Sequence, residues 1–226
     1  MRFQTLFEGR HFLIPFGLGA IFFWWLAADW SGWSWLAIPC TMGFIFCANF
    51  FRDPDRHIPQ EEDIIVAGAD GIIDAIEEVE ETEFIKGPSR RVSIFLNVFD
   101  VHVNRAPIAG RIVYQQHHPG TYLDARSPYC HQKNEALTWA FEGKQATLVV
   151  RQITGAIARR IVPWSRTGEM VEKGHRFGMI RFGSRTDIYL PLDAEVLVSL
   201  GDRVEGGSSV LARFAAKTET TEQKAS

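Results

Sequence analysis

The sequence predicts a mainly β domain preceded by an N-terminal hydrophobic helical hairpin. Three observations carry this. Residues 11–28 and 33–51 contain no Asp, Glu, Lys or Arg. Beyond residue 53 the pattern changes to short runs in which Val, Ile, Phe and Tyr recur at period two between Gly, Asp and Pro turns. No long amphipathic helical pattern occurs in that second part. At 226 residues the chain is one ordinary domain with an extra segment.

The hairpin comes first. "HFLIPFGLGAIFFWWLAA" and "WSWLAIPCTMGFIFCANFF" are each about as long as a helix that crosses a hydrocarbon core. A signal peptide fits poorly, because two runs follow each other and no small-residue cleavage pattern ends the first. Arg2 and Arg10 precede the first run, Arg52 and Arg56 follow the second, and the linking "DWSGWSW" has no Lys or Arg. The positive-inside tendency puts both ends, and the domain after them, on the cytoplasmic side of the cell membrane. Five of the seven tryptophans fall between Trp24 and Trp35, which suits an interface belt. Two other readings stay open: a buried core hairpin, and a shallow one that enters a single leaflet. The expected division is 1–52 for the anchor, 53–214 for the β domain and 215–226 for a polar, disordered tail.

A net charge of −3 gives no field for nucleic acid. Three cysteines at Cys40, Cys47 and Cys130 form neither a disulfide framework nor a zinc site, and the histidines lack metal-ligand spacing. Within the β domain, "DIIVAGADGIIDAIEEVE" reads as two strands around "GADG", and "ALTWAFEGKQATLVV" as a hairpin turning at "EGK". "VAGADGIIDAI" and "VLVSLGDRVEGGSSVLARF" resemble the strand–turn–strand hammerhead pieces of biotinyl or lipoyl carrier domains, which suggests a barrel-sandwich. A carrier needs a lysine at an exposed hairpin tip. Lys86 and Lys173 lack that setting.

The chemistry centres on "RFGSRTDIYLP". A Gly–Ser pair is ordinary turn material, and no G-x-S-x-G elbow is present. A serine hydroxyl can also attack the carbonyl of the residue before it. A glycine there is open and free to strain. The ester that forms eliminates to dehydroalanine and hydrolyses to a pyruvoyl ketone, an electron sink for decarboxylation. His102, with Asp100 two residues before it on the same face of an expected strand and Asn104 two residues after it, is either a hydrogen-bonded structural residue or a proton carrier. Asp70 in "GADG" is either turn chemistry or a second acid–base group. His117, His118 and His131 have weaker claims.

In this order, "FFRDPDRHIP", "GADGII", "FLNVFDVHVNRAP", "HPGTY", "NEA", "QITGAIARRI" and "RFGSRTDIYLP" resemble the short, pyruvoyl-dependent, membrane-bound form of the phosphatidylserine decarboxylase family, from Phe50 to about Leu192. The resemblance implies a proenzyme that cuts itself between Gly183 and Ser184. The products are a β chain, 1–183, and an α chain, 184–226, that begins with a pyruvoyl cofactor made from Ser184. Phosphatidylserine in the membrane would condense with that ketone as a Schiff base, lose carbon dioxide and leave as phosphatidylethanolamine. Asp70 and His102 would assist by position.

One departure stands out. Longer members carry a second histidine three residues after the first, where this chain has Arg105. His102 then covers both steps, or His118 or His131 comes in, or Asp70 acts without one. Arg105 and Arg185 would hold substrate phosphate or carboxylate, or else form ion pairs with the chain's own acids. The rival reading is a membrane-anchored barrel-sandwich adaptor or carrier-like module without catalysis. Homo-oligomerisation is left open.

Overall fold

The computed structural model describes residues 4–127, 129–156, 160–181 and 184–215. The two uncharged runs form helices α1 (Gln4–Ala27) and α2 (Ser34–Phe50), joined through a 3-10 turn at Ser31–Trp33. They pack along each other. The Trp24 indole N–H donates to Thr41 Oγ1 at 3.0 Å. A Cβ on Gly43 would lie 2.6 Å from the Phe16 ring, and one on Gly9 would lie 2.5 Å from the Phe51 ring. Small residues that admit a ring are how helices associate where lipid removes any hydrophobic drive between them. Outward faces carry Leu18, Ile21, Trp25 and Trp35, all exposed. Both spans are long and apolar enough to cross a membrane. Pro15 and Pro39 sit inside the helices.

The rest is mainly β, as expected. Strands β1 (Ile64–Val66), β2 (Gly71–Glu81) and β3 (Gly87–Leu96) are followed by β4 (Val103–Arg105) and β5 (Gly110–His118). The four-residue helix α3 (Cys130–Lys133) precedes the hairpin of β6 (Ala136–Glu142) and β7 (Thr147–Thr154). Then come β8 (Arg160–Pro163), β9 (Met170–Val171), β10 (Arg176–Arg181) and β11 (Ser184–Leu190). Strands β12 (Glu195–Val196), β13 (Arg203–Val204) and β14 (Val210–Arg213) close the domain.

Eight strands form one curled antiparallel sheet in the order β13-β2-β3-β11-β7-β6-β5-β9; β4-β10-β8 and β1-β14-β12 form two smaller sheets. The three enclose one core, in which Trp139 and Phe141 of the large sheet meet Phe177 of β10 edge-on at 5.1 and 5.2 Å. The "EGK" turn closes where the Gly143 N–H donates to Ala146 O at 3.1 Å. The two carrier-like segments lie against one another, tied by Gly207 N–H to Ala67 O (2.8 Å) and Ala67 N–H to Ser209 O (2.9 Å). Most of the tail expected at 215–226 falls outside the described residues.

Alternation along β11 does not give it a wet face, for all seven residues are buried. The inner face carries Ser184, Thr186, Ile188 and Leu190. Arg185, Asp187 and Tyr189 point the other way; Tyr189 packs with Ala140 and Val149 beside Phe84, Ile85 and Tyr114, and Arg126 of the segment between β5 and β6 sits over the Phe95 ring beside Arg185.

Gly71 opens β2 at φ +156°, and a Cβ there would lie 2.2 Å from the Phe95 carbonyl oxygen of the neighbouring strand. Gly71→Ala is expected to lower stability by about 2 kcal/mol through overpacking against backbone that cannot yield. Thermal unfolding in detergent measures it, and an unchanged midpoint would show that β2 and β3 tolerate the insertion.

Candidate active site

Ser184 is the first residue of β11, held between Leu96 of β3 and Thr154 of β7. It is fully buried, and its Oγ has no hydrogen-bond partner among the described residues. A hydroxyl removed from water and left without a partner is unfavourable, so such a group calls for a functional explanation. Gly183, the other half of the expected cleavage site, lies outside the described residues.

His102 follows a tight turn. The Asp100 carboxylate accepts the Asn97 N–H at 2.9 Å, and the Asn97 side-chain oxygen accepts the Phe99 N–H at 2.8 Å. Asp100 therefore sits in a turn rather than beside His102 on a strand. Its other carboxylate oxygen receives Arg203. At Nδ1 the imidazole meets the Asp100 backbone carbonyl, 2.9 Å away, rather than its carboxylate. A carbonyl only accepts, so Nδ1 carries the hydrogen and the neutral ring presents a lone pair at Nε2. Burial pushes the His102 pKa down to about 4, against the pull of Asp100 and with a smaller push from Arg52. The Ile180 N–H donates to His102 O at 3.3 Å, which ties the histidine to β10 four positions before Ser184.

Asp70 stands apart. Its carboxylate pairs with Arg56 at 2.5 Å and accepts the Gly206 N–H at 2.8 Å. Burial raises its pKa, opposed by both partners. In the large sheet β3 separates β2 from β11. The start of β2 is thus two strand spacings, roughly 10 Å, from the start of β11.

The remaining candidates do not converge on Ser184. Arg105 is buried against Asp53 (2.7 Å) and also donates to Pro54 O and Gly174 O. Arg185 donates to Asp187 (2.8 Å) and Asp74 (3.1 Å) on the face opposite Ser184. Both arginines take the ion-pair alternative. His118 pairs with Glu83 at 2.9 Å on β5, three strands from β11, and His117 pairs with Glu135. His131 lies on α3, its pKa lowered by burial first and by the charge of Arg91 next.

The sequence did not point to what holds β4 on the large sheet. The Trp139 indole N–H donates to Gln152 Oε1 (2.8 Å), and Gln152 Nε2 donates to Asn104 Oδ1 (2.6 Å). Asn104 Nδ2 then donates to Thr186 Oγ1 at 3.1 Å. Every member is buried. Only Asn104 gave a local sign, two residues after His102 on the same strand face.

Comparison with known proteins places this geometry in context. The family model described as phosphatidylserine decarboxylase matches residues 44–212, which include Ser184, His102 and Asp70. A phosphatidylserine decarboxylase proenzyme of Syntrophus aciditrophicus is 40% identical over 210 residues, 92% of this chain and 96% of the relative. Proteins of the same name from Symbiobacterium thermophilum (46% identical, 75% and 80% covered) and Carboxydothermus hydrogenoformans (43%, 80% and 85%) are also similar.

Replacing Asn104 by Leu keeps the volume but strips Gln152 and Thr186 of a partner. Each orphaned group is expected to destabilise the fold by about 1–3 kcal/mol. Chemical unfolding of the detergent-solubilised protein reads the loss. A variant as stable as the parent would mean that the chain of side chains is not what docks β4.

Proposed function

The chain belongs to the phosphatidylserine decarboxylase family, and we propose that it matures by self-cleavage at Ser184 into a pyruvoyl enzyme that converts phosphatidylserine to phosphatidylethanolamine. The observation that carries this is the buried Ser184 hydroxyl at the head of β11, which has no hydrogen-bond partner among the described residues. The fit to a pyruvoyl group is direct, because the group is that residue's own carbon skeleton.

The steps balance within the chain plus one water. Ser184 Oγ gives its proton to His102 Nε2 and attacks the carbonyl carbon of residue 183. The C–O bond forms, the C–N bond breaks, and the proton passes to the freed amine nitrogen. Loss of the Cα proton expels the residue-183 carboxylate and leaves dehydroalanine. Water enters, ammonia leaves, and a ketone remains at the head of residues 184–226. Once formed, that ketone supplies an electrophile for the lipid's amine and a sink for the electron pair left by carbon dioxide.

The chain's residues do the rest. His102 stays neutral through the physiological range because it is dry, and the neutral imidazole is the form that can take up a proton. Asp70 is a weaker candidate, for its carboxylate faces Arg56 and Gly206. It acts on the serine only if the turn at Gly68–Gly71 closes in. The two apolar helices would keep the domain at the headgroup plane, on the cytoplasmic side by the arginine distribution. The α chain needs no separate holding device, since β11 is hydrogen-bonded to β3 and β7 along its length.

Two outcomes test the reading. Purified protein is expected to run as two chains, the smaller of 43 residues and roughly 4.7 kDa at about 110 Da per residue, with a blocked ketone terminus. Ser184→Ala should stay in one piece and leave phosphatidylserine in detergent micelles unconverted. A working enzyme with a continuous backbone at 183–184 would refute the mechanism.

The second outcome concerns pH. The folded pKa of His102, about 4, lies below its unfolded value of 6.5. The unfolded chain therefore binds the proton more readily, and stability is complete above pH 6.5. It falls by about 3 kcal/mol as the pH drops from 6.5 to 4. The self-cleavage rate should likewise stay level from pH 8 to 6 and fall only toward pH 4. A rate that halves near pH 6.5 would take His102 out of the proton transfer.

A further inference from the structure

The hairpin meets the proposed centre on two flanks. Phe50, the last residue of α2, is fully buried, and its ring lies on the His102 imidazole with centroids 4.2 Å apart. Arg52 donates to Asn49 O at the helix end (2.8 Å) and to Phe99 O in the turn before His102 (2.7 Å). A cation at a helix C-terminus is favourable in itself, and here the same guanidinium fixes the helix to the turn. On the other flank, Glu8 of α1 pairs with Arg181, the last residue of β10, three positions before Ser184. Their side chains are only 21% and 13% exposed, so the pair is better shielded than an ordinary surface ion pair. Between the two flanks, Cys47, Phe50 and Phe51 of the hairpin pack against Met179 of β10, joined by Phe12, Leu13, Val162 and Trp164. Gly9 admits the Phe51 ring to this cluster.

We propose that the base of the hairpin is a positioning device for self-cleavage, with Phe50 setting the face and dryness of His102 and the Glu8–Arg181 pair fixing the strand end that leads into the cut peptide. This deepens the self-cleavage reading and rests on it. The charged groups that face His102 are Asp100, whose carboxylate is already paired with Arg203, and Arg52. They have opposite signs, and burial outweighs both; the Phe50 ring is part of the apolar cover that buries the imidazole. A chain whose helices have not packed together lacks the Phe50 lid and leaves Arg181 unpaired. Cleavage then waits for the hairpin to assemble, and the reactive ketone forms only in a domain that already carries its anchor.

The test uses the full chain in lipid vesicles and follows conversion to two chains over time at several pH values. Phe50→Ala should cleave about tenfold slower or worse, with its pH midpoint raised from near 4 toward 6.5. Phe50→Leu, which keeps the ring face dry, should recover both. Glu8→Ala and Arg181→Ala should each be slowed about tenfold, and the exchanged pair E8R/R181E should run faster than either single variant. A parental rate and midpoint in Phe50→Ala, or an exchanged pair no better than the singles, overturns the proposal. A parent chain that never cuts itself removes the self-cleavage reading instead, a result distinguishable from both.

Discussion

The side chain of Asn104 is the joint on which the site depends. It stands on β4, in a three-stranded sheet, yet its amide reaches Thr186 on β11 and Gln152 on β7 of the large sheet. An amide carries both donors and an acceptor, so one residue satisfies partners on two strands. His102 lies two positions before Asn104 and Ser184 two positions before Thr186, so that single contact ties together the two segments that carry the proposed histidine and serine. A buried polar chain of this kind is stabilising only when each member is satisfied, and this one ends on the Trp139 indole N–H.

Much of the architecture could be read along the chain, because strand and turn signals are local. Period-two runs and the "EGK" turn each involve neighbours within a few residues. The uncharged runs showed the helices for the same reason. What could not be read is contact across distance. Glu8 and Arg181 are 173 residues apart, and Phe50 meets His102 across 52. Nothing in "DVHV" shows that Asp100 turns its carboxylate away and offers its carbonyl instead. Nor does alternation along β11 show that its charged face is buried, where Arg185 pairs with Asp187 and Asp74. Ser184 became visible only through the order of many motifs, since a Gly–Ser pair alone is common turn material.

The electrostatics follow one scheme. Arginines next to the site are matched by acids of the chain, Arg105 by Asp53, Arg56 by Asp70 and Arg181 by Glu8. Their geometry is thereby fixed, at the expense of free charge for a substrate. His102 and Ser184 are left in a dry, apolar setting in which neutral groups are favoured over ions.

That setting bears on the form the proposed break at Ser184 would take. Hydrolysis by water would leave a primary ammonium at the head of β11, a strand with no solvent along it. An α-amine titrates near pH 8, roughly, and a cation stranded in low dielectric is strongly disfavoured. Expelling the nitrogen as ammonia and leaving a ketone gives the new terminus no charge to hydrate. On the proposed route the two fragments could stay interleaved as one body, with no unpaired cation added at the head of β11.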